Sequence, residues 1–165
     1  MLKQLQCPHC DCFGYLIRHS WIFSNDSGGH SLSLKKRGQR AFCSDRDLRK
    51  GCGRTFAIYF ADILPRHTAT AAMVYRIFLA LLAGHSLKKA AEGISLALES
   101  CYGLRRRMRL SLDRLRIQLT QILSPPASEQ SDPILQTFEH LCAAFSRSAC
   151  PPAAFQLHFR LPFMG

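Results

Sequence analysis

Cys7-Pro8-His9-Cys10 near the start of the chain, answered by Cys43 and by Cys52-Gly53-Arg54-Thr55-Phe56, is the pattern that decides the fold. The first pair puts two thiols on one tight turn. The second puts two more after a segment rich in aromatic and β-branched residues. Zinc takes four soft, deprotonated ligands in a tetrahedron, and two cysteine turns joined by antiparallel strands supply them. A site closed by four protein ligands holds a fold and keeps no position open for chemistry. A domain of about 60 residues is marginal on hydrophobic burial alone, so apparent metal binding of roughly 10–16 kcal/mol decides whether it folds.

The expected ligands are therefore Cys7, Cys10, Cys43 and Cys52, with structural zinc as the cofactor. Cys43 is the least regular of them. Eight residues separate it from Cys52, where zinc ligands are commonly spaced by about two to four. His9 and Cys12 stand as alternative ligands, and Cys12 also as a spare thiol packed beside the site. The competing reading is of buried reduced cysteines, since Cys is among the most buried residue types. A thioredoxin-like redox role for Cys7 and Cys10 is disfavoured, because no strand precedes them and no helix follows.

Outward from the cysteines, short antiparallel strands are expected over Phe13–Phe23, in a piece ending at Arg40-Ala41-Phe42-Cys43, and over Thr55–Phe60. The turn-forming stretch Ser24–Gly29 separates the first two. After Pro65 the period becomes helical: Ala71, Val74, Tyr75, Phe78, Leu81 and Leu82 share a face, and Gly84 ends it. Ser86 is the expected N-cap of a short helix, Leu87–Glu92, closed by Gly93. A longer helix is expected to start between Ser95 and Ser100 and run to about Leu123, with Leu104, Met108, Leu112, Leu115, Leu119 and Ile122 in one stripe. Ser124–Pro133 reads as a linker. Ile134, Phe138, Leu141 and Phe145 suggest another amphipathic helix, and the alternation of Phe155–Leu161 suggests a strand without a neighbour. The expected fold class is α+β: a zinc ribbon over 1–64, a helix-turn-helix-like three-helix module over 65–123, and a linker with a C-terminal helix and strand over 124–165.

Twenty-two Lys and Arg against eleven Asp and Glu give a formal charge of +11, which calls for a polyanionic partner. Lys35, Lys36, Arg37 and Arg40 lie between the cysteine pairs. Arg46, Arg49, Lys50 and Arg54 lie in and after the second loop. Cations on a rigid hairpin meet several phosphates at once and release counterions. A second cluster, Arg105, Arg106 and Arg109 with Arg114 and Arg116, sits on the long helix, and Arg105, Arg109 and Arg116 are expected to share one side. If Leu87–Glu92 supports a recognition helix, base-reading residues start near Glu99, Ser100 and Tyr102. The plain alternative is a three-helix bundle with a solvated basic face.

Cys-Pro-x-Cys, a basic hairpin, a second pair ending in Cys52-Gly-Arg-Thr-Phe56 and a following helix-turn-helix together resemble the front end of bacterial insertion-sequence transposases, over roughly residues 5–122. A phage late-transcription-activator family of zinc-finger proteins is similar at its own second knuckle. The resemblance implies a zinc ribbon and a role in recognising element ends or promoter DNA. The cutting chemistry of a transposase needs three carboxylates on a ribonuclease-H-like sheet, and the eleven acids here are scattered. No Ser-His-Asp constellation, Gly-rich phosphate loop or HExxH motif is present. The expectation is a non-enzymatic, cytoplasmic, transposase-related DNA-binding protein acting in transposition, with DNA and a catalytic transposase chain as partners. A truncated transposase fragment and an RNA- or protein-binding ribbon are the alternatives. The run Ile77–Ala83 is too short to span a bilayer, and the first ten residues lack a signal-peptide core.

Overall fold

The computed structural model describes residues 2–25, 34–46, 50–65, 67, 69–94 and 96–164. The chain is α+β and divides into two compact units, Met1–Phe60 and Ala61–Gly165.

In the first unit, β1 (Leu16–Asn25), β2 (Leu34–Cys43) and β3 (Thr55–Tyr59) form one antiparallel sheet in the order β1-β2-β3. The expected turn Ser24–Gly29 lies outside the described residues from position 26 onward. Register runs from Leu16 opposite Cys43 to Asn25 opposite Leu34, with two irregularities. One leaves His19 as an extra residue in β1, between the pairs Arg18–Ala41 and Ser20–Arg40. The other leaves Arg37 as an extra residue in β2, between Ile22–Gly38 and Phe23–Lys36. Each bulge shifts the alternation of its strand by one residue. Gly38 is required where β2 abuts β3, since a Cβ there would collide with the Ile58 carbonyl. The core of this unit is small: Cys7, Leu16 and Cys43, flanked by Leu2, Cys10, Tyr15, Cys52 and Phe56.

The second unit is helical. In α1 (Ala71–Leu82) the Thr70 hydroxyl caps the start by accepting from the Met73 amide at 3.2 Å, and Ala71, Val74, Ile77 and Phe78 turn inward. Gly84, at φ +80°, follows its end. In α2 (Leu87–Glu92) Ser86 caps as expected, accepting from the Lys89 amide at 3.3 Å.

The long helix expected up to Leu123 is two helices, α3 (Leu98–Leu110) and α4 (Leu112–Thr120). The break is at Ser111, whose amide is shared between the carbonyls of Arg107 and Met108, both at 3.1 Å. This sharing tightens the turn. Leu104, Met108, Leu115 and Leu119 are buried on either side of the break, so the apolar stripe survives it.

Beyond it, the stretch expected to be a linker is fastened to α5 (Pro133–Ala144) by side chains. Gln136 donates to the Gln130 carbonyl at 2.7 Å, the Ser128 hydroxyl donates to Glu139, and the His140 ring meets the Leu123 carbonyl at 2.7 Å. Asp132 caps α5 through the Ile134 amide at 2.9 Å, with Pro133 at the first helical position, where its missing N–H costs nothing.

The strand expected over Phe155–Leu161 is instead part of α6 (Pro151–Phe159). Two prolines open this helix, and the inward residues are Pro151, Pro152 and Phe155, at helical intervals. Phe155 and Phe159 pack one turn apart with tilted rings and centroids at 4.7 Å. Leu157, which the alternation would have placed inside, is 69% exposed. Gln156 ties the ends of the unit together: its amide donates to the carbonyls of Ala61 (2.6 Å) and Ile63 (3.1 Å) and accepts from the Phe163 amide (3.0 Å). The core is continuous from Leu64 to Met164, with Phe78 on Phe138 at 5.1 Å near its centre. Among the described residues no helix is long and apolar enough to cross a membrane.

Candidate metal centre

The four cysteine sulfurs of Cys7, Cys10, Cys43 and Cys52 all lie within 4.8 Å of one another. Cys7 and Cys52 are 3.8 Å apart, and Cys10 and Cys43 are 3.7 Å apart. A disulfide would bring two sulfurs to about 2.05 Å, so these are four separate thiols converging on a point. Such a cluster could hold one metal ion. Cys7 and Cys43 are completely buried, Cys10 and Cys52 partly.

Backbone geometry builds each turn. On the first, the Asp11 amide bonds to the Cys7 carbonyl at 2.9 Å and the Cys7 amide to the Cys12 carbonyl at 3.1 Å. The His9 amide points at the Cys7 sulfur at 3.5 Å. On the second, the irregular spacing has a simple explanation. The chain leaves at Cys43-Ser44 and returns at Gly51, and the two passages pair: Gly51 N to Ser44 O at 3.1 Å, Gly53 N to Cys43 O at 2.9 Å, Cys43 N to Arg54 O at 2.9 Å. The pairing of these two passages brings the sulfurs of Cys43 and Cys52 together despite the eight residues between them. Two glycines permit it. A Cβ on Gly51 would collide with the Ser44 carbonyl, and Gly53 holds φ +69°. The Cys52 amide then reaches the Cys43 sulfur at 3.4 Å.

The thiols of the cluster are not equivalent. Burial raises the Cys7 thiol, but the amides of His9 and Cys10 and the thiols of Cys10 and Cys43 outweigh it and bring it down to about 7. Cys43 is pushed up to about 12, first by burial, with the neighbouring sulfurs adding to it. Of these thiols Cys7 is lowered while Cys43 and Cys52 are raised, so Cys7 is the first of the three to ionise. The thiols of the helical unit differ: Cys101, Cys142 and Cys150 are raised, chiefly by burial, and Cys142 reaches about 11.

The two alternative ligands fall outside this centre. Among the described residues the converging group is the four cysteines without His9 or Cys12. The His9 ring sits edge-on to Phe56 at 6.0 Å.

The expected cations divide. Lys35, Lys36, Arg40, Arg46 and Arg54 are exposed, Arg37 is half-buried, and Arg49 lies outside the described residues. The three strands together carry Arg18, Lys35, Lys36, Arg37 and Arg40 and no acidic residue. The Lys36 Nζ stands 3.7 Å from the Trp21 ring centroid and the Arg18 guanidinium 5.0 Å from it. Arg46 approaches the Phe42 ring at 5.6 Å.

In the helical unit, Arg106 and Arg109 are exposed, but the single basic side expected for Arg105, Arg109 and Arg116 does not form. Arg105 is paired with Asp132 at 2.6 Å. Arg116 donates to the Thr137 hydroxyl at 2.9 Å and the Pro133 carbonyl at 3.3 Å. Arg114 donates to the carbonyls of Pro162 (2.7 Å) and Phe163 (3.2 Å). These three guanidinium groups brace the C-terminal segment, because α5 and the final residues pack on the side of α3 and α4 that the sequence left open.

Arg18, Trp21 and Phe23 did not enter the sequence-derived site. The period-two spacing of Trp21 and Phe23 was a usable signal, whereas the position of Arg18 depends on the bulge at His19. Comparison with family models, with curated proteins and with solved structures gives no match in any of the three.

Proposed function

We propose that this is a non-catalytic DNA-binding protein, a transposase-related accessory or regulatory factor, in which one structural zinc presents a basic sheet to DNA. The observation that carries the reading is the juxtaposition of a four-cysteine centre with a sheet holding five cations and no acid. Zinc fits the donor set. Four thiolates about 2.3 Å from a tetrahedral ion lie about 3.8 Å apart, which matches the 3.7 and 3.8 Å sulfur pairs. The ion ties the two knuckles of the ribbon together and offers no open position.

Lys35, Lys36 and Arg40 supply phosphate contacts, which set affinity and orientation without reading sequence. In the helical unit, α2 and α3 act as a helix-turn-helix-like pair, with Tyr102, Arg106 and Arg109 exposed along α3 as its DNA-facing residues. Arg105 is removed from that set by its pairing with Asp132. The alternative of a truncated transposase drew support from an unpaired strand near the C-terminus, and that segment is helical.

The test is fluorescence anisotropy of the full chain with labelled duplex DNA across a salt series. Affinity falls linearly with salt on logarithmic axes, and Lys36→Ala and Arg40→Ala each weaken binding to all sequences alike. Binding indifferent to salt overturns the reading.

A further inference from the structure

We propose that the end of the sheet face away from the cysteines is a stacking platform for unpaired bases, so that the ribbon's preferred ligand is single-stranded DNA. This rests on the DNA-binding reading above and makes its ligand specific.

The two bulges set which side chains share a face of the sheet. In regular strands Arg18 and Trp21, three residues apart, would point to opposite faces. The extra residue His19 brings them to the same face. Likewise Lys36 and Gln39 would be opposed, and the extra residue Arg37 returns Lys36 to the face of Gln39, whose partner across the ladder is Trp21. Two independent irregularities, one in each strand, therefore aim a cation at the same ring. The contacts confirm the aim, with Lys36 at 3.7 Å and Arg18 at 5.0 Å. Bulges re-aim side chains in this way beside functional sites.

The same face changes character along its length. At the cysteine end, Leu16, Ala41 and Cys43 are fully buried. At the other end, Trp21 is 37% and Phe23 49% exposed. These two aromatics sit two residues apart on β1, where the alternation is unbroken, and so lie side by side. Phe23 stands opposite Lys36 in the register. The result is two exposed rings flanked by two cations on a sheet without acids.

Nucleic-acid chemistry distinguishes what suits such a surface. A duplex hides the faces of its bases and offers phosphates and groove edges. A single strand offers bare π-faces, and proteins bind it by combining a cationic track with aromatic rings on which successive bases stack. A cation resting on an exposed ring is held weakly, more weakly than a stacked base. An incoming base therefore displaces Lys36 from Trp21, and the released ammonium is already placed for the adjoining phosphate.

Trp21 is the only tryptophan in the chain, so its emission reports the platform directly. The experiment titrates the zinc-loaded full chain with oligothymidylate, with the same strand annealed to oligodeoxyadenylate, and with oligouridylate. Tryptophan emission and the anisotropy of end-labelled strands are followed together. Oligothymidylate is expected to quench Trp21 strongly and the duplex to bind with little quenching. Trp21→Ala and Phe23→Ala should each weaken single-strand binding by on the order of tenfold to a hundredfold while changing duplex binding less than about threefold. Zinc content confirms that each variant has folded, and wild-type quenching needs no variant. Single-strand binding without quenching, equal quenching by duplex, or binding confined to oligouridylate overturns the platform. Salt-dependent duplex binding that persists in that event leaves the parent reading standing, and loss of binding to every strand removes both.

Discussion

Residues 1–60 and residues 61–165 are held together by different means. Among its described residues the helical unit packs twenty buried apolar side chains into one core that runs from Leu64 to Met164. The ribbon has a core cluster of three, and two of these, Cys7 and Cys43, belong to the candidate metal centre. Among its described residues Leu16 is the one large, fully buried aliphatic side chain. A segment of this size cannot offset the entropy of ordering its backbone with so little burial. A four-cysteine cluster that could hold a metal ion stands where the second unit has phenylalanines. The contrast teaches where each unit is vulnerable: on the proposed reading the ribbon's fold is conditional on an ion and the helical unit's is not, so the sheet face proposed to meet nucleic acid would exist only in the loaded protein.

The largest effect that would break this contrast is metal removal. A strong chelator is expected to unfold the sheet completely, given the roughly 10–16 kcal/mol of apparent binding it withdraws, while far-UV circular dichroism retains the helical signal. Simultaneous loss of both would show that the helical unit also depends on the ion.

The reciprocal perturbation is Phe138→Ala, at the centre of the helical core. It should cost that unit about 3–5 kcal/mol, read by denaturant unfolding, with metal content unchanged. A smaller effect sharpens the ribbon side. Gly53 holds φ +69° between the two passages of the second knuckle, so Gly53→Ala should cost about 1–2 kcal/mol and appear as weaker metal retention in a chelator competition, without effect on helix stability.

The smallest concerns Asp132. Burial raises its carboxyl, but the Ile134 amide and Arg105 outweigh this and hold it below the usual carboxylate range. A depressed pKa in the folded state adds stability above that range and loses it as pH falls through and below it. Asp132→Ala should therefore destabilise the helical unit by about 1 kcal/mol at neutral pH, mostly as a lost cap. The difference from wild type should shrink in unfolding titrations as pH falls below about 4 and vanish only beneath the depressed folded-state value.

What was legible in the sequence follows the same division. The four cysteines, the three strands, the helical period of α1, the Ser86 cap of α2 and the apolar face of α5 all carry local signals: ligand type, period, or a capping hydroxyl. The failures occur where a local pattern was ambiguous or silent. Phe155, Leu157, Phe159 and Leu161 alternate like a strand, yet Phe155 and Phe159 are also one helical turn apart, and packing in the core chose that spacing. Ser111 gives no composition signal for a break, since the apolar stripe passes through it. Arg105 and Arg116, expected to share a basic side with Arg109, and Arg114 of the same cluster are engaged instead, and this was silent in the sequence because their partners, Asp132, Thr137 and the Pro162 carbonyl, lie 21 to 48 residues away. The bulges at His19 and Arg37 are set by pairing between strands and cannot be read from either strand alone. The spacing of Cys43 and Cys52 looked irregular only because the backbone pairing that closes their loop is invisible in one dimension.

The central claim is that Cys7, Cys10, Cys43 and Cys52 together bind one zinc on which the ribbon depends. Native mass spectrometry of the purified full chain and of Cys-to-Ser variants tests it most directly. The account predicts one zinc per chain, lost with Cys43→Ser and retained with Cys12→Ser. A metal-free, folded ribbon, or zinc retained in Cys43→Ser and lost in Cys12→Ser, would contradict it.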